Sequence, residues 1–588
     1  MNGTAQKIAS GHRALMKIWV SPAATEQERY AAAELRHYLE LMTAALFEIA
    51  EGPCEGPRIA VGSAAGDLGL SDDGLGEDGF CVRTVGDSVG ILGGKRGVIY
   101  GVYEFLERMG CRFFSAACEK IPADEELPLP DLDERQVPIF EFRDHNYYEF
   151  RKYNRFAVKL RINGGDIPEK FGGSLRYALN VHTFNTLVPT EQYAADHPEY
   201  YSMAPDGARR VHYPENQLCL TNPEVLEIAV ESARRILREH PEARIISISQ
   251  NDFTESCQCE RCLASDAEEG SAAGTLLRFV NAIAERLEPE FPDVIFDTLA
   301  YQYTRPVPTK TKPRHNVCVR LCSIECCFAH PFETCDDERG VIRPDGSRSS
   351  FIDDLRDWGR VHDRVYIWDY TTSFSHYAAP HPNWRTLPVN MQAFAKNNVK
   401  GVFEQANGAS HGGCDLNELR AYVIAKLLWD PNTDVGRHIR EFTDYYYGAA
   451  APYIREYLYV CCDRAEQENI HVGYKDPCGP PLFTDEIIAR LDDLITRAEN
   501  AVQGDPIRLW RTAKVHLSPR YLRLKNDAMN GRTDAAALDQ FFTDWKAFGF
   551  TRIEEWVAPE TSHRAMLCGL WQGLDFLNHW TDEGAEEL

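Results

Sequence analysis

The spacing of apolar residues changes twice along the chain, dividing it into three stretches. Near the N-terminus a strand-like run, ALMKIWV at 14–20, leads into AATEQERYAAAELRHYLELM, whose apolar residues fall at helical spacing. RIAVGS at 58–63 reads as another strand, and DGFCVRTVGDSVGILGG at 78–94 as two strands turning around Gly86-Asp87. RGVIYGVYEFLERMG then supplies an amphipathic helix ended by Gly110, before a Pro- and acid-rich linker at 121–138. These elements predict an N-terminal α/β domain over 1–125.

From 139 short apolar runs alternate with longer helical or looped stretches, the pattern of repeated βα units. Eight such runs are IFEFRD (139–144), FAVKLRI (156–162), ALNVHTF (178–184), RIISISQ (244–250), VIFDTLAY (294–301), VCVRLC (317–322), VYIWDY (365–370) and VKGVFEQ (399–405). Eight parallel strands close naturally into a barrel. The predicted fold is therefore α/β, with a central (β/α)8 TIM barrel over 139–430. After 416 only helical periodicity remains, with LNELRAYVIAKLLWD completing the barrel and 431–588 forming a C-terminal helical domain.

The chain has 588 residues, 44% of them hydrophobic and 26% charged, the balance of an ordinary globular protein of about three domains. Its formal charge of −26 repels phosphate backbones and anionic headgroups, so nucleic acid and membrane surfaces are excluded as partners. The first thirty residues contain no apolar run of signal-peptide length, and no segment approaches a membrane span, which points to the cytoplasm. There the 18 cysteines read as thiols or metal ligands rather than disulfides. Homo-oligomerisation is left open.

In barrels the active site is built at the C-terminal ends of the strands. The polar residues there are Arg143 and Asp144, Asn163, His182 and Asn185, Asn251 and Asp252, Tyr301 and Tyr303, Glu325, Trp368, Asp369 and Tyr370, and Glu404, Gln405 and Asn407. Carboxylates beside aromatics and amides suit sugar chemistry, which needs an acid together with a nucleophile or base. The candidate catalytic groups are Glu404, Glu325, Asp252 and Asp369, all expected to face one mouth. The candidate sugar ligands are Arg143, His182, Asn251, Tyr301, Tyr303, Trp368, Tyr370 and Gln405. Glu404 closes an otherwise apolar strand, so burial would raise its pKa as a general acid needs. The competing reading pairs it with Arg161 or Arg320. Trp368 and Tyr370 are expected to divide, one inward and one against a helix.

Cys257, Cys259 and Cys262 can share one structural zinc, for which Cys322, Cys326, Cys327 and Cys335 offer a fourth ligand. No organic cofactor is implied. GxSxG and GxxxxGK[ST] are absent, which removes a serine hydrolase elbow and a phosphate loop.

DGFCVRTVGDSVGILGGKRGVIYGVYEFLERMGCRFF resembles the small domain that precedes the barrel in β-hexosaminidases and α-glucuronidases. QNDFTESCQCERC, LCSIECCFAHPF, VYIWDYTTSFSHY and GVFEQANGASHGG resemble the bacterial family known as domain of unknown function 4838. Part of that family is classed as glycoside hydrolase family 163, endo-β-N-acetylglucosaminidases of complex N-glycans. The resemblance implies a glycosidase of β-linked amino-sugar glycans, retaining and substrate-assisted, here acting on an imported oligosaccharide. β-Hexosaminidases place an Asp-Glu pair after the fourth strand, where this chain has Asn251-Asp252. The alternatives are an α-glucuronidase-like exo-glycosidase, a carbohydrate-binding barrel without catalysis, and chemistry at a metal held by the cysteines.

Overall fold

The structure is a computed structural model that describes residues 6–52, 55–343, 345–408, 410–474, 476–555 and 559–567. The last twenty-one positions of the expected helical tail, 568–588, lie outside the described residues. Chain contacts define two compact units, Met1–Ser174 with Leu416–Gly448, and Leu175–Asp415 with Ala449–Leu588.

The first unit is built on strands β1 (Lys17–Val20), β2 (Ile49–Glu51), β3 (Arg58–Val61), β4 (Phe80–Val85), β5 (Ser88–Gly93) and β6 (Asp133–Gln136), in the order β6-β4-β5-β3-β1-β2. β1, β2, β3 and β5 run parallel, while β4 and β6 are antiparallel to their neighbours. The β4–β5 hairpin turns on Gly86-Asp87, where Gly86 takes φ +63°, a conformation that glycine adopts without penalty. Helix Glu26–Thr43 starts on a capping box, with Thr25 and Glu28 each accepting the other's backbone N–H. The helix Gly97–Arg108, the short strand β7 (Phe142–His145) and the helices Asn417–Trp429 and Val435–Tyr446 also belong to this unit.

The second unit carries a parallel sheet of β8 (Ile245–Ser247), β9 (Ile295–Ala300), β10 (Val317–Cys322), β11 (Val365–Tyr370) and β12 (Val399–Gln405), adjacent in chain order. Every residue of β10 is buried, as expected of a strand covered on both faces. Helices Glu260–Glu269, Ala272–Leu287, Phe351–Val361 and Thr386–Lys396 lie between these strands in sequence, Pro223–Glu239 precedes β8, and Ala451–Gln467, Asp485–Ala501, Pro506–Met529 and Ala535–Ala547 form the helical remainder.

Five of the eight predicted barrel strands thus stand together as a parallel sheet in the second unit, IFEFRD forms a strand over Phe142–His145 in the first, and the described strands do not make a closed eight-membered ring. FAVKLRI is mainly helix, Asn154–Lys159, because its apolar residues pack as one helical turn with Phe156, Ala157 and Val158 buried. ALNVHTF is not a regular strand. It nevertheless backs β8, through Ala178 N–H to Ile245 O at 2.8 Å, Ser247 N–H to Leu179 O at 2.9 Å and Thr183 N–H to Ser249 O at 3.0 Å. Among the described residues no helix is long and apolar enough to cross a membrane.

Candidate active site

In a parallel sheet all C-terminal ends share one edge, and here that edge opens into a cavity of about 510 Å³ within the second unit. Strand ends supply Tyr301, Cys322, Trp368, Tyr370 and Gln405, and the following loops supply Asp252, Thr254 and Ile324. His182, Gln302, Phe374, Tyr474 and Glu555 complete its polar and aromatic lining. Trp368 and Tyr370 both face the cavity rather than dividing, because residues two apart on a strand share a face.

The floor is apolar, with Leu299 and Cys322 buried against Val181, Ile324 and Trp368. Beneath it Arg320 is held by Asp297 at 3.0 Å, and its guanidinium stacks 4.7 Å from the Tyr177 ring and 5.3 Å from that of Trp368. Arg320 and Trp368 therefore brace each other from below.

Among the described residues two carboxyls reach the cavity. Asp252 accepts a hydrogen bond from the Tyr301 hydroxyl at 3.0 Å, and its Oδ1 lies 4.0 Å from His182 Nε2. Burial first, and then the Asp252 charge, keep the Tyr301 phenol protonated as that donor. Glu555 arrives from the far end of the chain, on a segment pinned by backbone bonds from Glu555 N–H to Phe374 O at 3.0 Å and from Tyr377 N–H to Ile553 O at 2.8 Å. Its carboxyl accepts a hydrogen bond from Gln405 Nε2 at 3.1 Å. The orientation of that amide follows from the other side, where Trp368 Nε1 donates to Gln405 Oε1 at 2.7 Å. An indole N–H can only donate, so the amide must turn its NH₂ toward Glu555. Glu555 Oε1 is then an acceptor, and any proton sits on Oε2. Burial chiefly, and the Asp252 charge in addition, push the Glu555 carboxyl up to about 7 against the opposing Gln405 bond.

The other expected carboxylates lie elsewhere. Asp369 and Glu404 are cross-strand partners that alternate with the cavity-facing Trp368, Tyr370 and Gln405, so they occupy the opposite face of the sheet. Glu404 is 1% exposed and its Oε2 has no hydrogen-bond partner among the described residues. Burial, with the Asp369 charge second, raises it well above the usual carboxylate range. Burial lifts Asp369 to about 6, opposed by a hydrogen bond from Ser323. Neither expected arginine pairs with Glu404, since Arg161 binds Glu104 at 2.6 Å and Arg320 binds Asp297. Glu325 is tied to Arg305 at 3.0 Å, which also binds Asp354 at 2.7 Å. The expectation of four carboxylates around one mouth is met geometrically by Asp252 alone.

Three expected sugar ligands also lie away from the cavity. Arg143 is fully buried inside the first unit, donating to Arg161 O at 2.9 Å and Phe140 O at 2.7 Å. Asn251 is buried and spent on loop structure, through Asn216 O and Gln217 Oε1. Tyr303 packs beside Cys257 and Cys262 instead of following Tyr301. His182, Tyr301, Trp368, Tyr370 and Gln405 do line the cavity. Sequence reading missed Glu555, whose only trace is the acidic pair in RIEEW, on an irregular segment without periodicity.

The three clustered cysteines find their fourth partner upstream in Cys219, not in the loop after β10. Cys219 Sγ lies 3.7 Å from Cys259 Sγ and 3.9 Å from Cys262 Sγ, and all four side chains are buried. A tetrahedral zinc with Zn–S of ~2.3 Å requires sulfur–sulfur edges of about 3.8 Å. The residues present fit that ion.

Among solved structures, a glycoside hydrolase family 115 4-O-methyl-α-glucuronidase with specificity for decorated arabinogalactans matches 96% of this chain and 78% of its own, with TM-score 0.57 and 11% identity. A family 89 glycoside hydrolase from Clostridium perfringens follows at TM-score 0.46 and 10% identity, over 92% of this chain and 70% of that one. An N-acetyl-β-hexosaminidase from Streptomyces plicatus reaches 0.42 and 13%, over 75% and 91%. The first likeness establishes a fold that glycoside hydrolases use. No curated protein sequence matches. The profile of the family described as Domain of unknown function (DUF4838) matches residues 113–459, and the chain belongs to that family.

Proposed function

We propose that the protein is a glycoside hydrolase of uncharged, N-acetylglucosamine-type sugars in β-linkage. The observation that carries this reading is the pairing of Glu555 and Asp252 on one aromatic-walled cavity. Glu555, protonated on Oε2 near neutral pH, would give its proton to the leaving oxygen. Asp252, fixed by Tyr301, would receive the acetamide N–H and steer that group's oxygen onto the anomeric carbon, a retaining and substrate-assisted course. The relation to glycoside hydrolase family 163 belongs to this proposal, which the motif resemblance supports.

The α-glucuronidase alternative has the fold likeness in its favour and the cavity chemistry against it. A uronate needs a cation, and the cavity lining among the described residues holds two carboxylates and neither Arg nor Lys. Turnover of aryl N-acetyl-β-glucosaminides and aryl α-glucuronides, with the product anomer read by NMR, separates the two. Cleavage of the glucuronide alone would reject the reading, and binding of sugar without turnover of either would leave a lectin-like protein.

The reading includes a structural zinc at Cys219, Cys257, Cys259 and Cys262. It would hold the loop that carries Asp252 and Thr254. Elemental analysis of the purified protein and of Cys219→Ser tests it, with loss of zinc from the variant expected.

A further inference from the structure

A second cluster of soft donors is drawn in part from the loop after β10, and the proposed hydrolysis makes no use of it. Cys327 Sγ is 3.4 Å from His330 Nδ1, and Cys335 Sγ is 3.7 Å from His471 Nδ1. One donor atom from each of the four residues lies within 4.8 Å of all the others. A tetrahedral ion with Zn–S of ~2.3 Å and Zn–N of ~2.05 Å sets sulfur–nitrogen edges at about 3.6 Å. The two measured edges bracket that value.

The surroundings are those of a ligand set rather than of four side chains meeting by packing. The backbone N–H of Val472 donates to Cys327 Sγ at 3.4 Å, stabilising a thiolate there. His471 turns Nδ1 toward Cys335 and Nε2 toward Asp336 Oδ1 at 3.2 Å, and Asn469 Nδ2 holds that carboxylate at 3.3 Å. A carboxylate on the far nitrogen of a metal-bound imidazole fixes its tautomer and raises its basicity.

We propose that Cys327, His330, Cys335 and His471 bind one zinc ion, separate from the four-cysteine site. Two thiolates and two imidazoles are a ligand set of structural zinc. All four positions are filled by protein, so the ion is structural. It joins the loop after β10 to a segment 136 residues further on. Ile324 lies three residues before the first ligand and Tyr474 three after the last, and both form the cavity wall. The ion thus sets one wall of the cavity, whatever reaction the cavity supports.

The test is metal content by mass spectrometry on gel-filtered full-length protein, comparing wild type, Cys219→Ser, Cys335→Ser and His471→Ala. Expected are two zinc per chain in wild type and one in each variant. Cobalt loaded into Cys219→Ser should show tetrahedral d–d bands with thiolate charge transfer, and both should vanish when Cys335→Ser is added. If those variants fail to fold, Asp336→Asn serves, because this solvent-facing residue orients a ligand without binding metal. Its zinc affinity in chelator competition should fall by about 10–100-fold. Equal metal content in wild type and Cys335→Ser, or unchanged affinity in Asp336→Asn, would each overturn the proposal.

Discussion

Glu555 accepts a hydrogen bond from the side-chain amide of Gln405, a residue 150 positions earlier in the chain, at 3.1 Å. Because Trp368 fixes which end of that amide faces the carboxyl, Glu555 keeps one oxygen as an acceptor and the other for a proton. Its role as acid can be tested by changing that single group.

Glu555→Gln keeps the Gln405 contact and removes the transferable proton. Turnover of glycosides with poor leaving groups should fall by about 10²–10⁴-fold. Activated aryl glycosides, which leave without protonation, should lose far less. Equal losses on both substrates would argue against proton donation by Glu555.

The pH profile follows from the same residue. In the proposed reaction Glu555 acts when protonated, and its folded pKa of about 7 lies above the usual carboxylate range. The ratio kcat/KM should therefore decline with a one-proton slope above about pH 7. The Gln405 bond favours the carboxylate, so Trp368→Phe, which frees the amide to turn, should move this limb to higher pH. Steady-state kinetics across pH 5 to 9 on both proteins read the shift.

Glu404→Gln should leave activity within about threefold of wild type, since the carboxyl faces away from the cavity and burial pushes it toward the neutral form that the amide mimics. A loss as large as that of Glu555→Gln would return Glu404 to the catalytic list.

Glu554 gives a stability test. It is fully buried, neither of its oxygens has a hydrogen-bond partner among the described residues, and burial raises it to about 8. The native state then keeps a proton that the unfolded chain releases earlier. The stabilisation is whole below the ordinary carboxylate pKa and is lost as pH climbs toward 8. Glu554→Gln should leave Tm unchanged near pH 4 and raise it by several degrees near pH 9, measured by calorimetry.

Much of the second unit's sheet is legible in the chain. β9 to β12 announce themselves as short apolar runs bounded by turns, the pattern of buried parallel strands. FAVKLRI misleads because a run of seven fits one face of a helix as well as a strand. The candidate site is less legible. Tyr301, Trp368, Tyr370 and Gln405 follow from the rule that strand ends face the mouth, and the same rule fails for Glu404, one position earlier on the opposite face. Cys219 sits outside any close-spaced pattern with Cys257, and Glu555 reaches the cavity by tertiary packing alone. No local spacing encodes either meeting.

The segment that delivers Glu555 contributes no regular element, and a few backbone bonds to Phe374, Tyr377 and His411 hold it in place. Exchanging those few residues would spare the aromatic wall, Asp252 and the oriented amide, leaving a receptor that grips a sugar and lets it go whole. On the proposed reading, an enzyme and a lectin would differ on this scaffold by the length of one short strap.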